Sequence, residues 1–268
     1  MIRLAVRCAP EQADLVLAEL TVLAPNGVEV ECGPGYVEYA IYGGEGELPE
    51  LGDLDAAIGG GRVEVSATEI PDDWADRWRD FHKPLLVADR LWLRPSWEPP
   101  RAGAIDVVVD PGQAFGTGAH PTTRLCLEFL CELEEAGEAG GELVDLGTGS
   151  GVLAIAAAKL GFEPVSAYDA DRSAVAATRA NARDNGVLLD RVERLDLRTQ
   201  PPPSATVVAA NLMRPLLLRV ADLMQERPGA LILSGLLDHE VAEVAAAFAP
   251  LREARRLTDK GWAALLLR

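Results

Sequence analysis

The chain has 268 residues, of which 49% are hydrophobic and 25% are charged, as in an ordinary globular protein. It contains no apolar run of about 18 residues, which argues against a transmembrane helix. Its first residues are too charged for a signal peptide, so we predict a cytoplasmic protein. The net charge of −17 disfavours stable binding to nucleic acid, because an acidic surface repels phosphate groups.

The placement of cysteine and histidine gives no sign of a metal site. No two cysteines have CxxC spacing, and the histidines are scattered along the chain. The cysteines are therefore predicted to be buried free thiols, and no metal is expected. The residues concerned are Cys8, Cys32, Cys126, Cys131, His82, His120 and His239.

Residues 1–68 are predicted to form a small α+β domain. The strand and helix patterns follow the order βαββαβ, which is that of a ferredoxin-like domain. The strands are predicted at 2–8, 28–32, 36–42 and 62–68, and the helices at 11–23 and 48–58. Twelve acidic residues and three arginines give residues 1–66 a net charge of −9. Such a domain is suited to bind a basic protein.

Residues 69–84 are predicted to form a helical linker. Trp74, Trp78 and Phe81 recur at i, i+4 and i+7, which places them on one face of a helix. We interpret this aromatic stripe as a packing surface between two domains rather than as a ligand site.

Residues 85–268 are predicted to form an α/β domain. Two short strands are expected first, at 84–88 and 90–95. From about residue 105, apolar strand patterns alternate with Ala-rich helical patterns, which is typical of a mostly parallel sheet. The last two strand patterns, at 251–258 and 262–268, predict an antiparallel hairpin at one edge of that sheet.

The sharpest motif in this domain is DLGTGSG, at 145–151, between a predicted strand and a predicted helix. Glycines allow a ligand to approach the backbone, and the start of the helix is expected to offer free N–H groups. The spacing is GxGxG, formed by Gly147, Gly149 and Gly151. Val152 stands where a GxGxxG motif has its third glycine, which disfavours a nicotinamide-dependent oxidoreductase. A plain strand–helix turn is the alternative.

Two polar residues come at the carboxyl ends of predicted strands. Asp169 follows the pattern at 165–168, where a carboxylate can accept both ribose hydroxyls of an adenosyl group. Asn211 follows the pattern at 206–210, where it can accept a hydrogen bond from an amine and orient the lone pair. Taken alone, Asp169 is an ordinary strand-end acid and Asn211 a turn residue. Together with the glycine loop they indicate a ligand site, and Asp171 is expected to begin the next helix.

The segment DPGQAFGTGAHPTT, at 110–123, is rich in glycine without being low in complexity. We interpret it as a flexible lid over a pocket, in which Phe115 requires an apolar partner. Thr122 or Thr123 is expected to cap the helix that follows. His120 is either a catalytic base or, more simply, a surface residue of the loop.

These segments resemble the PrmA family, the ribosomal protein L11 methyltransferases. DPGQAFGTGAHPTTRLCLEFL is the most specific match, and WADRWRDFHKPLLVADRLWLRPSWEPP, NLMRPLL and KGWAALLLR match as well. The resemblance implies a class I methyltransferase domain with a Rossmann-like sheet, preceded by a ferredoxin-like domain that captures the substrate. One departure is Arg214, where the family often has Ala, so that local substrate contacts are expected to differ.

The resemblance also implies a cofactor site for S-adenosyl-L-methionine. By position, the family's contacts correspond to Thr123, Gly147, Asp169 and Asn211. The glycine loop, with Gly149, is expected to pass under the methionine and ribose. Phe115 belongs to the lid that is expected to close over the cofactor.

The implied activity is transfer of methyl groups to amines of a basic ribosomal protein of the large-subunit stalk base. Lysine side chains and the N-terminal α-amine are the expected acceptors, and Asn211 is the expected catalytic residue. The protein is expected to be a monomer without a nucleic-acid or membrane partner. One alternative is a class I methyltransferase that acts on another protein lysine or on a small amine. Another is a ribosome-assembly factor with a vestigial cofactor pocket.

Overall fold

The computed structural model describes residues 2–13, 16–17, 20, 29–33, 35–43, 63–69, 83–110 and 120–268. The chain divides into two compact units, Met1–Phe81 and His82–Arg268. The predicted helical linker lies almost wholly outside the described residues, so its existence and its boundaries remain predictions.

The first unit contains a four-stranded antiparallel sheet. Its strands are β1 (Ile2–Cys8), β2 (Glu29–Gly33), β3 (Tyr36–Gly43) and β4 (Glu64–Glu69). The strand order is β2-β3-β1-β4. β1 takes a central position between β3 and β4, which is the strand order expected of a βαββαβ chain. The second predicted helix and most of the first lie outside the described residues, so the ferredoxin-like assignment remains a prediction.

The two faces of this sheet differ in chemistry because successive side chains of a strand point to opposite sides. Val6 and Tyr39 are paired across β1 and β3 and belong to a small apolar core. On neighbouring positions Arg7 pairs with Glu38, and Glu38 accepts hydrogen bonds from Arg3 at 2.7 Å and from Arg7 at 2.9 Å. These contacts lower the pKa of Glu38, and the hydrogen bond from Arg3 is the largest cause.

The second unit begins with a small three-stranded sheet. Its strands are β5 (Leu85–Val87), β6 (Leu91–Arg94) and β7 (Ile105–Val108). β6 pairs with β5 in antiparallel and with β7 in parallel orientation. The change of sequence pattern near residue 105 therefore marks a strand of this small sheet, and the main sheet begins later in the chain.

The main sheet has seven strands. They are β8 (Leu143–Leu146), β9 (Val165–Asp169), β10 (Arg191–Arg194), β11 (Val207–Asn211), β12 (Ala230–Leu237), β13 (Glu253–Asp259) and β14 (Trp262–Leu267). The strand order is β10-β9-β8-β11-β12-β14-β13. Strands β8 to β12 pair in parallel, and β14 is antiparallel to both β12 and β13. The predicted α/β fold, a mostly parallel sheet with a C-terminal antiparallel hairpin, is confirmed.

Helices cover both faces of the main sheet. They are α1 (Pro121–Glu135), α2 (Val152–Lys159), α3 (Arg172–Asp184), α4 (Arg214–Leu223) and α5 (Val241–Ala247). Alternate residues of the central strands enter two separate apolar clusters. In β8, Leu143 belongs to the cluster that includes α1 and α2, and Val144 belongs to the cluster that includes α4 and α5. No helix in the described part of the chain is long and apolar enough to cross a membrane.

Candidate active site at the carboxyl ends of the strands

The glycine loop lies between β8 and α2 in a backbone conformation that favours glycine. Gly147, Gly149 and Gly151 have φ values of 72°, 56° and 86°. A Cβ atom on Gly147 would lie 2.3 Å from Cδ2 of Leu212, and one on Gly151 would lie 2.8 Å from Cγ2 of Thr178. The loop is therefore glycine-rich for two reasons, the sign of φ and the close approach of neighbouring side chains.

The backbone amides of the loop bond mainly within the protein. Gly147 N and Thr148 N both donate to the carbonyl oxygen of Tyr168, at 2.8 and 3.0 Å, and Gly151 N donates to Thr148 O at 2.8 Å. These three amides are therefore not free. At the start of α2, where the sequence predicts free N–H groups, Val152 N donates to Ser150 Oγ at 3.4 Å. The loop is held in a fixed shape, with its conformation set by β9.

Asp169 is held at the carboxyl end of β9, next to the glycine loop. Its Oδ2 accepts a hydrogen bond from Gly149 N at 3.0 Å, and its Oδ1 accepts one from Asp171 N at 2.9 Å. Each carboxylate oxygen can accept a further bond. Asp171 caps α3 by accepting a bond from Ser173 N at 2.8 Å, which confirms its predicted role at the start of that helix.

The structure also brings together Asn211 and Thr123, which lie 88 residues apart in the sequence. Asn211 ends β11, and its Nδ2 donates to Oγ1 of Thr123 at 3.2 Å. Thr123 lies in the first turn of α1 and is 1% exposed. Because β8, β9 and β11 are adjacent and parallel, Gly147, Asp169 and Asn211 all lie at the carboxyl ends of strands, at one edge of the sheet.

Gly235 is a structural residue of this site that the sequence interpretation did not identify. It has a φ of 83° and lies at an irregularity of β12 between Leu233 and Leu236. A Cβ atom there would lie 2.4 Å from the carbonyl oxygen of Leu212. Gly235 thus allows the backbone that follows Asn211 to cross close above β12. A single glycine inside an apolar strand pattern is the signal that indicates such a close approach.

His120, and not Thr122 or Thr123, caps α1. Its ring lies 2.8 Å from Thr122 Oγ1 and accepts a bond from Thr122 N at 3.4 Å. It packs edge-on against Trp262, with 5.0 Å between ring centroids. Burial lowers the pKa of His120. The predicted cap was wrong because the helix begins at Pro121, earlier than the apolar pattern indicates.

The lid, including Phe115, lies outside the described residues. Arg214, at the start of α4, forms ion pairs with Glu240 at 3.2 Å and with Glu243 at 2.6 Å. Its guanidinium therefore connects the segment after Asn211 to the start of α5.

A second residue that the sequence interpretation did not single out is Asp145, which lies in β8 directly before the glycine loop. It is fully buried, and its Oδ2 accepts a hydrogen bond from the hydroxyl of Thr148 at 2.6 Å. Burial raises the pKa of this carboxyl group to about 7, and hydrogen bonding from Thr148 and from the backbone N–H of Ala154 opposes the shift. The signal available in the sequence is an acidic residue inside a strand that is otherwise apolar.

Residues 48–268 match the family model described as Ribosomal protein L11 methyltransferase (PrmA). A Shewanella amazonensis protein named ribosomal protein L11 methyltransferase is 38% identical over 221 residues, covering 80% of this chain and 74% of that relative. A Shewanella halifaxensis protein of the same name is 45% identical over 179 residues, or 65% of this chain. The chain spans 60% of the length of the Shewanella halifaxensis relative.

A solved structure gives the same result for the fold. The crystal structure of ribosomal protein L11 methylase from Lactobacillus delbrueckii subsp. bulgaricus superposes with a TM-score of 0.61 at 25% sequence identity. The match covers 70% of this chain and 98% of that one. With the family model matched over most of its length, the chain belongs to the ribosomal protein L11 methyltransferase family.

Proposed function

We propose that the protein transfers methyl groups from S-adenosyl-L-methionine to amino groups of ribosomal protein L11. The observation that carries the proposal is the bond between Asn211 and Thr123, because it fixes an amide beside the glycine loop at the carboxyl edge of the sheet. Ligands of open α/β sheets bind at this edge. Membership of the family supplies the reaction class and the substrate that the proposal names.

The residues at this edge suit an adenosyl cofactor. The carboxylate of Asp169 is fixed by Gly149 N and Asp171 N and keeps acceptor capacity for two ribose hydroxyls. At its glycines the loop presents backbone without side chains, which allows close approach of a ligand. Phe115 and the rest of the lid are proposed to cover the site. When bound, S-adenosyl-L-methionine supplies a methyl group on a positively charged sulfur.

Asn211 is proposed to orient the amine that accepts the methyl group. Its Nδ2 is engaged by Thr123, which leaves Oδ1 as the acceptor that can face a substrate N–H. A hydrogen bond from the amine to Oδ1 aligns the nitrogen lone pair with the reacting carbon. Such alignment is the main contribution that a protein makes to a transfer of this kind.

The accepting amine must be neutral when it reacts. A lysine with a pKa of about 10.4 is almost fully protonated at neutral pH. A poorly hydrated pocket next to a positive charge lowers that pKa, because both effects disfavour the ammonium form. Proximity and desolvation are therefore proposed to provide the neutral amine, without a dedicated general base. Lysine side chains and the N-terminal α-amine both meet this requirement.

The first unit is proposed to capture the substrate protein. Residues 1–66 carry a net charge of −9, which favours a basic partner such as a ribosomal protein of the stalk base. Glu31 and Glu64 are exposed on β2 and β4, where a partner can reach them. The protein is proposed to act in the cytoplasm as a monomer.

The test is to incubate the purified chain with S-adenosyl-L-methionine and unmodified ribosomal protein L11, and then to measure the intact mass of L11. We expect stepwise increments of one methylene each, and peptide mapping will identify the amines. Asp169→Ala is expected to abolish them, and Asp171→Asn, which keeps an N-cap acceptor, is expected to retain them. Cofactor binding without any increment would transfer the proposal to another protein lysine or a small amine.

A further inference from the structure

Asp145 is an acidic residue within the apolar face of the main sheet. Because strand residues alternate between faces, Asp145 shares with Leu143 the face that α1 and α2 cover. Its partners on the neighbouring strands are Ala167 of β9 and Ala209 of β11, and both belong to the apolar cluster on that face. Asp145 itself is 0% exposed. An ionised carboxylate in such surroundings requires a compensating charge or several hydrogen bonds.

The described residues supply only part of that compensation. Oδ2 accepts the Thr148 hydroxyl at 2.6 Å, and the backbone N–H of Ala154, in the first turn of α2, also favours the ionised carboxyl group. Oδ1 is buried and makes no hydrogen bond of normal geometry with the described residues. Among the described residues, Asp145 forms no ion pair with any Lys, Arg or His. The two titratable groups that interact with it electrostatically are Asp169 of β9 and Cys126 of α1, and neither brings a positive charge. Negative charge on Asp169 raises the pKa of Asp145 further.

We propose that Asp145 is a positioning residue for the cofactor, partly protonated before the cofactor binds and ionised once it is bound. This inference rests on the proposed function, which places a net positive ligand directly above the loop. On binding, the O–H bond of the carboxyl group breaks, its proton passes to the buffer, and the electron pair stays on the carboxylate. The resulting anion acts on the loop through the Thr148 hydroxyl. Through this hydrogen bond, the positive charge of the ligand influences the conformation of the glycine loop by way of Asp145.

The size of the effect follows from where Asp145 titrates. With a pKa of about 7, half of the carboxyl groups are protonated at pH 7. If the cofactor binds the ionised form, it releases about 0.5 proton per molecule bound at pH 7. The affinity of the protein for the cofactor then increases about fivefold between pH 6 and pH 7, because the fraction of molecules with an ionised Asp145 grows over that range.

The test is calorimetric titration of the full chain with S-adenosyl-L-methionine at pH 7, in two buffers that differ in ionisation enthalpy. The difference in heat between buffers gives the number of protons released. Asp145→Asn is the matched variant, because its amide oxygen still accepts from Thr148 but cannot ionise. The α-amino group of the ligand also titrates near this pH. It does so equally with both proteins, so the difference between them belongs to Asp145.

We expect about half a proton more from the natural protein than from Asp145→Asn. Equal release from the two proteins would overturn the inference while leaving the proposed function intact. An absence of any binding heat with the natural protein would instead contradict the proposed function. Thr148→Val provides a second variant if Asp145→Asn does not fold. Loss of the hydroxyl raises the pKa of Asp145, so proton release at pH 7 is expected to increase, and unchanged release would also overturn the inference.

Discussion

Replacement of Gly235 by alanine tests whether the backbone crossing above β12 fixes the position of Asn211. The new Cβ would lie 2.4 Å from the carbonyl oxygen and 2.7 Å from the carbonyl carbon of Leu212. Both atoms belong to the backbone, so no side-chain rotation can relieve the overlap. The segment that carries Asn211 must move, and methyl transfer is expected to fall together with stability.

Gly261 provides a matched control for this change. It has the same φ of 83°, but a Cβ atom there would have nothing within 4 Å. Gly261→Ala therefore measures the cost of a left-handed backbone alone, about 1–2 kcal/mol. Gly235→Ala adds the overlap with Leu212, which we set at about 1–3 kcal/mol from the cost of overpacking. The total for Gly235→Ala is then roughly 2–5 kcal/mol.

Thermal unfolding of both variants, followed by circular dichroism, separates the two contributions. For a domain of this size, 1 kcal/mol corresponds to a Tm change of about 2–4 °C. The Tm of Gly235→Ala is therefore expected to lie roughly 2–12 °C below that of Gly261→Ala. Only Gly235→Ala is expected to lose activity. Equal Tm losses and equal activities would show that the contact with Leu212 does not position Asn211.

Three further predictions concern single side chains. Asn211→Ala is expected to lower turnover about ten- to a hundredfold, with a change of only a few-fold in cofactor affinity; equal losses in both would show that Asn211 only holds the cofactor. Burial lowers the pKa of His120 below its ordinary value of 6.5. The neutral ring therefore contributes to the stability of the folded protein above pH 6.5, and this contribution is lost as the pH falls through the folded-state pKa of His120. His120→Asn preserves a cap for α1. The difference in Tm between the natural protein and this variant should thus shrink or reverse when the pH is lowered from 7 to 5.5. A constant difference would contradict a stabilising role of neutral His120. Arg214→Ala breaks ion pairs that are only partly buried and should lower stability by less than about 1 kcal/mol in urea unfolding. An increase in KM for L11 without that small loss would mean that Arg214 contacts the substrate.

The main sheet could be predicted because its signals are local. Apolar runs of strand length alternate with helical patterns, and the glycine loop lies between β8 and α2 as the motif indicates. Asp169 and Asn211 could be assigned to one edge because the carboxyl ends of parallel strands coincide. Their hydrogen-bond partners could not be predicted in the same way, since Thr123 lies 88 residues from Asn211.

The prediction for the cap of α1 was wrong because neighbouring residues compete for the same backbone groups, and other contacts of the site depend on residues that are distant in the sequence. The loop amides bond to Tyr168, a residue of another strand that a local motif cannot indicate. The cap of α1 was assigned to threonine because threonine is a common N-cap, but Pro121 begins the helix and leaves His120 in that position. Asp145 was not distinguished from the rest of its motif, because burial is a property of the folded sheet.

The position of β14 between β12 and β13 has a consequence for how the sheet assembles during synthesis. β13 leaves the ribosome before β14, yet within the part of the chain that the structure describes β14 is the only strand that it pairs with. β12 likewise presents an open edge until β14 arrives beside it. The sheet therefore cannot be completed in the order in which its strands are made. Ser234, in β12 beside the crossing backbone, bonds to Ala263 of β14 at 2.9 Å, so this side of the active site reaches its final form only when β14 has taken its place.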